Sequence, residues 1–111
     1  MELYNYNATV LKVVDGDTVK MRIDLGFCID WETNARLAGI NADELKADDP
    51  ILKESAYKAK EYMESILKPG DRIRIRSKTL DKYKRPIVEL IHNGVNINKE
   101  LLEKGLVKEY K

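Results

Sequence analysis

The alternation of apolar and polar residues predicts strands in the first third of the chain. In segment 18–25 every second residue is apolar, which is the period of a strand with one buried face. Segment 9–14 is also rich in apolar residues, and the Asp15-Gly16 pair between the two segments is typical of a tight hairpin turn. After one glycine the alternation resumes in segment 27–37. We therefore expect three consecutive antiparallel strands.

A period of three to four residues replaces this alternation after residue 49 and predicts one long helix over 50–68. The helix starts with favourable residues, because Asp49 is a good N-cap and Pro50 suits the first turn. The Pro69-Gly70 pair ends it. Its apolar face is expected to contain Leu52, Ala56, Ala59 and Met63.

Two further strands and a short helix complete the predicted elements. Segments 72–76 and 87–91 have the composition of strands, and segment 99–104 is expected to form a helix. Asn98 is expected to cap this helix, and Gly105 stands where its left-handed C-terminal residue belongs.

The order of these elements predicts the architecture. Three strands, a long helix, two strands and a short helix is the order of a five-stranded Greek-key barrel, the OB-fold. A ferredoxin-like sandwich is disfavoured because it needs a helix directly after its first strand. With 111 residues, the chain is expected to form one mainly β domain over 1–111.

The composition excludes some classes of protein. No apolar run is long enough to span a membrane, and the single cysteine rules out an internal disulfide. The first residues lack the pattern of a secretion signal, so we expect a cytoplasmic protein, with secretion only if a leader has been removed. A monomer is expected.

The net charge of +1 conceals two segments of opposite sign. Residues 24–54 contain eight acids and three bases, whereas residues 68–85 contain eight bases and two acids. Such a distribution suits a protein that holds a cation close to a polyanion. The alternative is that both segments are solvated loops whose charges have no common role.

The acidic residues include candidate metal ligands. Asp17 lies at the predicted hairpin, and Asn41, Asp43 and Glu44 follow the third strand, so oxygen donors occur in two places. Carboxylate and amide oxygens suit a hard cation such as Ca²⁺, whereas zinc would need histidine or cysteine. Asp15 is interpreted as a turn residue, and Asp17 as a ligand because the turn needs only one acid.

Arginines are the candidate phosphate-binding groups, because a guanidinium is planar and permanently charged. Arg36 lies at the end of the third strand, and Arg85 lies just before the fifth. Arg72, Arg74 and Arg76 alternate along the fourth strand and are interpreted as ordinary surface residues.

Three segments carry a family resemblance. Val-Asp-Gly-Asp-Thr at 14–18, Arg-Leu-Ala-Gly-Ile-Asn-Ala-Asp-Glu at 36–44 and Asp-Lys-Tyr-Lys-Arg at 81–85 match its signatures in order and spacing. On these segments the chain resembles the thermonuclease (staphylococcal nuclease-like) family. Segment 95–107 is similar to the last part of that fold, and the resemblance covers roughly residues 8–110.

The resemblance implies a calcium-dependent phosphodiesterase that acts on DNA and RNA. Such enzymes hydrolyse the P–O5′ bond, leave 3′-phosphates and have little sequence specificity. By position, Asp17 and Asn41 would be side-chain ligands of Ca²⁺, and the Ala42 carbonyl would be a third ligand.

The resemblance also assigns the catalytic and substrate-binding residues. Arg36 and Arg85 would bind the phosphate and its transition state, and Glu44 would orient or deprotonate the attacking water. Three further residues would contact the nucleotide: Lys82, Tyr83 and Tyr110. An OB-fold groove accepts single strands readily, so single-stranded nucleic acid is the expected partner.

Two positions depart from the family pattern and leave other functions open. The family usually has Asp at the position of Asn41 and Pro at that of Asp43. Because Asn41 removes one negative charge, the first alternative is a non-catalytic OB-fold module that binds single-stranded nucleic acid and has a weakened metal site. An OB-fold domain that binds other proteins is the second.

Overall fold

The computed structural model describes residues 4–42 and 48–110, without the side chain of Lys78. Glu44 and Asp43 lie outside these residues. In chain order, the elements of the described part are β1 (Tyr4–Asp15), β2 (Thr18–Asp24), β3 (Asp30–Leu37), β4 (Ile40–Asn41), α1 (Pro50–Ile66), β5 (Arg72–Leu80), β6 (Pro86–His92), β7 (Val95–Asn96), α2 (Ile97–Glu103) and β8 (Lys108–Glu109).

Five strands close into a barrel, as the order of elements predicts. β1 lies between β2 and β5, β2 pairs with β3, and β5 pairs with β6, all antiparallel. A short parallel contact between β3 and β6 joins the two edges, with Arg36 beside Ile87 and Leu37 beside Val88. The fold is therefore the predicted OB-type barrel. β1 and β5 are longer than their patterns indicate, and β4, β7 and β8 are short strands that no pattern predicts.

The apolar positions of the alternating strands form the core. Val10, Met21, Ala35, Ile75 and Leu90 are fully buried, one from each strand of the barrel. Period-two patterning therefore identifies the inner face of the sheet correctly.

Helix α1 begins as predicted, because the Asp49 carboxylate accepts a hydrogen bond from the Ile51 N–H at 2.9 Å. Ala59 and Met63 are buried against the barrel, but Leu52 is 38% exposed, so its placement on the buried face is wrong. The first turn of α1 extends beyond the core. Within the described residues, neither helix combines the length and apolar content that crossing a membrane requires.

The predicted start of the third strand is wrong. Gly26, Phe27 and Cys28 all have positive φ angles, and the Leu25 N–H donates to the Ile29 carbonyl, so a hairpin turn separates β2 from β3. Phe27 is 97% exposed at its tip. The apolar residues of this turn continue the alternation by sequence alone, whereas their backbone is not extended.

The predicted cap of the second helix is also wrong. Asn96 caps α2 by accepting a hydrogen bond from the Lys99 N–H at 3.2 Å, and Asn98 is buried inside the helix. The predicted C-terminal end is confirmed, because Gly105 has a φ of +70° and its N–H bonds the Leu102 carbonyl.

Candidate active site

The β1–β2 hairpin turns the Asp17 side chain towards the interior. The Asp15 carboxylate accepts the Asp17 N–H at 3.1 Å, which fixes the turn. A Cβ on Gly16 would lie 2.6 Å from the Ala59 Cβ and 3.0 Å from the Ala42 Cβ. Glycine is therefore required here because the turn packs directly against α1 and the segment that follows β4.

Asp17 is 7% exposed and has hydrogen-bond partners on both carboxylate oxygens. Oδ1 accepts the Thr18 hydroxyl at 2.9 Å. Oδ2 accepts the Ala42 N–H at 2.9 Å and lies 3.0 Å from Nη1 of Arg36. The predicted metal ligand is thus held rigidly beside the predicted phosphate-binding guanidinium.

Arg36 connects the two predicted side-chain ligands. While Nη1 contacts Asp17, Nη2 donates to Oδ1 of Asn41 at 3.0 Å. The strand register explains this arrangement, because Arg36 pairs with Thr18 across β2 and β3. A guanidinium that donates to two acceptors in one plane is held more firmly than a lysine would be.

The two aspartates of the hairpin have opposite pKa shifts. Burial, together with a hydrogen bond and charge repulsion from Asp17, raises the pKa of Asp15 from 3.8 to about 6. Burial would also raise the pKa of Asp17. Hydrogen bonds from Asp15, Ala42 and Thr18 and the charge of Arg36 outweigh it and lower that pKa. Near neutral pH, Asp17 is therefore the more firmly ionised group of the pair.

The loop between β5 and β6 holds Arg85. Asp81 accepts hydrogen bonds from the backbone N–H of Tyr83 at 2.8 Å and of Arg85 at 2.9 Å, and from Nε of Arg85 at 2.7 Å. These bonds outweigh the desolvation of Asp81 and keep its pKa below the usual 3.8. Because Nε carries this bond, Asp81 fixes the orientation of the guanidinium.

A groove of about 600 Å³ joins these elements. Its lining includes Arg36 and Asn41 together with Arg85 and other residues of the loop between β5 and β6. Two exposed tyrosines stand on it, each close to a cation. The Tyr83 ring centroid lies 5.1 Å from the Lys82 ammonium and 5.5 Å from the Arg85 guanidinium, and Tyr110 lies 5.8 Å from the Arg36 guanidinium.

Tyr110 reaches the groove through a short strand pair that the sequence does not predict. β8 pairs with β4, and the Tyr110 N–H donates to the Gly39 carbonyl at 2.9 Å. All predicted site residues that the structure describes thus fall into two contacting groups. The first contains Asp17, Arg36, Asn41 and Ala42, with Tyr110 beside Arg36, and the second contains Lys82, Tyr83 and Arg85. The predicted general base, Glu44, lies outside the described residues.

The oxygen donors of Asp17 and Asn41 are of the type that binds a hard cation. Asp17 supplies a carboxylate and Asn41 an amide oxygen, which are ligands that Ca²⁺ accepts. The described residues contain no cluster of three or more Asp, Glu, His or Cys side chains that could hold a metal ion. The acidic charge near Asp17 is therefore low in the described part of the site, and Arg36 already contacts both donors.

Sequence reasoning missed the role of Asn98, whose side chain stabilises backbone segments next to the site. The buried Asn98 accepts the Leu90 N–H at 3.1 Å and donates to the carbonyls of Ala38 at 2.9 Å and Val88 at 3.0 Å. It therefore ties α2 and β6 to the segment between Arg36 and β4. Its position beside a predicted helix start made it look like a cap, so no local signal would have identified this role.

Fold and site together define an OB-fold domain with two oriented guanidiniums and two exposed tyrosines along one groove. The protein-family model described as "Staphylococcal nuclease homologue" matches residues 34–111, and the chain belongs to this family. It is 32% identical over 95% of its length to Endonuclease YhcR of Bacillus subtilis. It is 30% identical over 96% of its length to an uncharacterized protein of Methanocaldococcus jannaschii. The chain spans 9% and 60% of the lengths of these relatives.

Proposed function

We propose that this protein is a calcium-dependent nuclease that hydrolyses phosphodiester bonds of DNA and RNA with little sequence specificity. The observation that supports the proposal most strongly is the groove, which Arg36 and Arg85 both line with exposed tyrosines next to them. Two guanidiniums suit a phosphate, and aromatic rings stack on any base. Family membership and the named endonuclease among the relatives support the same reaction class.

Arg36, Arg85 and Glu44 would have different roles in the reaction. Arg36 and Arg85 would neutralise the phosphate and stabilise the charge that develops on it, with Asp81 holding Arg85 in place. Glu44 is the proposed general base, which would take the proton of the attacking water. The water oxygen forms the new bond to phosphorus while the P–O5′ bond breaks, which gives a 3′-phosphate and a 5′-hydroxyl.

Asp17, Asn41 and the Ala42 carbonyl are the proposed ligands of Ca²⁺. A bound Ca²⁺ would supply Lewis acidity and positive charge next to the phosphate. The Ala42 N–H already orients the Asp17 carboxylate, so this part of the ligand set is preorganised. Lys82, Tyr83 and Tyr110 would contact the nucleotides on either side of the scissile bond.

Cleavage of a single-stranded fluorogenic oligonucleotide tests this proposal. We expect cleavage with calcium and none with EDTA, and products that a polymerase extends only after phosphatase treatment. Glu44→Gln is expected to lower turnover about 10²–10⁴-fold, which is the range for loss of a general base. Glu61→Gln removes an exposed carboxylate from α1 and serves as the matched control. Equal turnover of the two variants would remove Glu44 from the mechanism.

The second candidate function is binding of single-stranded nucleic acid without cleavage. It is favoured by the absence of a cluster of three or more metal-binding side chains among the described residues, and by the contacts of Arg36 with Asp17 and Asn41. Binding that persists in EDTA without calcium-stimulated cleavage would support it. If Asn41→Asp then produced cleavage, the missing carboxylate would be the reason.

A further inference from the structure

The outer face of the barrel next to the groove carries three cations without an acidic partner. Lys12 on β1, Lys20 on β2 and Arg72 on β5 are all exposed. None of the three makes an ion pair or a side-chain hydrogen bond within the described residues. We call these three residues the basic track.

The strand register shows that the basic track starts beside the candidate active site. Arg36 pairs with Thr18 across β3 and β2, and Lys20 follows two residues later on β2. Lys20 lies directly opposite Lys12 on β1, and Thr9 of the same strand lies opposite Arg72 on β5. Neighbouring strands are about 5 Å apart, so Lys12 and Lys20 are direct neighbours across the two strands. Arg72 lies further along the face, on the strand next to Thr9.

The opposed lysines are unfavourable in the free protein. Like charges directly opposite each other in an antiparallel pair destabilise a sheet. Two other cations of this face are neutralised, because Arg22 lies 3.1 Å from Glu32 and Arg76 lies 3.5 Å from Glu89. Arg74 on β5 is exposed and, like the basic track, makes no ion pair within the described residues. At the far end of β2, Asp24 lies opposite Asp30, and both residues line one pocket with Arg72. Lys12 and Lys20 are thus the unneutralised pair of this face that lies nearest to Arg36 and the groove.

We propose that the basic track binds the phosphates of a nucleic-acid strand that continue beyond the one held in the groove. The inference rests on the proposed function, because it assumes that a strand occupies the groove. Phosphate is the matching ligand because the track offers unneutralised cations in sequence and exposes little apolar surface. Such contacts add affinity for longer strands without reading their sequence.

The test compares a long and a short ligand on the whole chain. The long ligand is a labelled single strand of about 15 nucleotides, measured by fluorescence anisotropy in EDTA. The short ligand is a nucleoside 3′,5′-bisphosphate with calcium, measured by calorimetry, which fills the groove only. The test variant is Lys12→Gln/Lys20→Gln, and Lys53→Gln/Lys99→Gln removes the same charge from the two helices as a matched control.

The loss of two phosphate contacts is expected to make the slope of log K against log salt concentration shallower by about 1.4. The affinity for the long strand should fall about 25-fold at 0.1 M salt. Affinity for the short ligand should stay unchanged, and the control should lose clearly less affinity for the long strand. Urea unfolding should show the test variant to be at least as stable as the wild type, because the repulsion between Lys12 and Lys20 is gone.

Two results would overturn the proposal. If the long strand binds the test variant and the control equally well, the basic track does not contact phosphate, and the proposed function stands. If the wild-type chain binds neither ligand, the proposed function fails and the basic track fails with it.

Discussion

Replacement of Asn98 by alanine tests whether one buried side chain stabilises the backbone segments that carry the candidate active site. Asn98→Ala removes the three hydrogen bonds to Leu90, Ala38 and Val88. The Val88 carbonyl keeps a partner, because it also accepts the Ala38 N–H at 2.7 Å. The Leu90 N–H loses its Asn98 partner in a buried place, at about 1–3 kcal/mol, and the part-buried Ala38 carbonyl loses a hydrogen bond worth about 1 kcal/mol.

We therefore expect Asn98→Ala to lower the free energy of unfolding by about 3 kcal/mol. Asn98→Asp should be no better, since it keeps the acceptor for Leu90 but turns a carboxylate oxygen towards two carbonyl oxygens. Asn34→Ala, an exposed amide on β3, is the matched control and should change stability by less than about 0.5 kcal/mol.

Urea unfolding followed by the fluorescence of Trp31, the one tryptophan of the chain, measures these differences. A loss below about 1 kcal/mol for Asn98→Ala, with an unchanged urea dependence, would refute the reasoning. It would mean that the three hydrogen bonds are replaced by water or are not formed in solution.

Two further predictions concern the hairpin. Asp15→Asn keeps the acceptor for the Asp17 N–H but removes a carboxyl whose pKa is raised from 3.8 to about 6 in the folded chain. Ionising Asp15 thus costs more in the folded state, and wild-type stability should fall as the pH rises through this interval. Allowing for solvent screening, Asp15→Asn should be more stable than the wild type by about 1–2 kcal/mol above pH 6. Below about pH 4 the two proteins should have equal stability. Urea titrations in EDTA measure this, and equal stability at high pH would contradict it. Gly16→Ala places a methyl group 2.6 Å from the Ala59 Cβ and should cost about 1–3 kcal/mol, part of which Gly16→Ala/Ala59→Gly should recover. Thermal unfolding checks this pair, and a fully stable single variant would show that the turn does not pack on α1.

Local patterns predicted most of the elements, because the strands and α1 each bury one face of regular period. The errors lie where the backbone departs from the regular form. Phe27 and Cys28 continue an apolar alternation, yet their positive φ angles place them in a turn. Asn98 is a residue type typical of a cap, yet it lies inside the helix because α2 starts two residues earlier than predicted, at Ile97. The turn is held by local hydrogen bonds such as Leu25 N–H to the Ile29 carbonyl, which apolar periodicity does not register, whereas the burial of Asn98 depends on its contact with the distant Ala38.

The candidate site could be predicted in its residues but not in its contacts. Asp17, Arg36 and Arg85 come from three separate segments, and motif spacing indicated that they act together. The strand register that puts Arg36 opposite Thr18 could not be predicted from the sequence, and neither could the hydrogen bond between Arg36 and Asn41. The sequence also does not predict β8, the short strand that brings Tyr110 to the groove.

The end of β3 explains why the barrel and the candidate site depend on each other. The parallel contact that closes the barrel joins Arg36 to Ile87, directly after the loop that orients Arg85. The same closure puts the Ala38 N–H on the Val88 carbonyl, where Asn98 also donates. A change that opens this contact would therefore separate the two guanidiniums as well as expose the core. The stability of the barrel and the spacing of the two guanidiniums therefore depend on the same few hydrogen bonds.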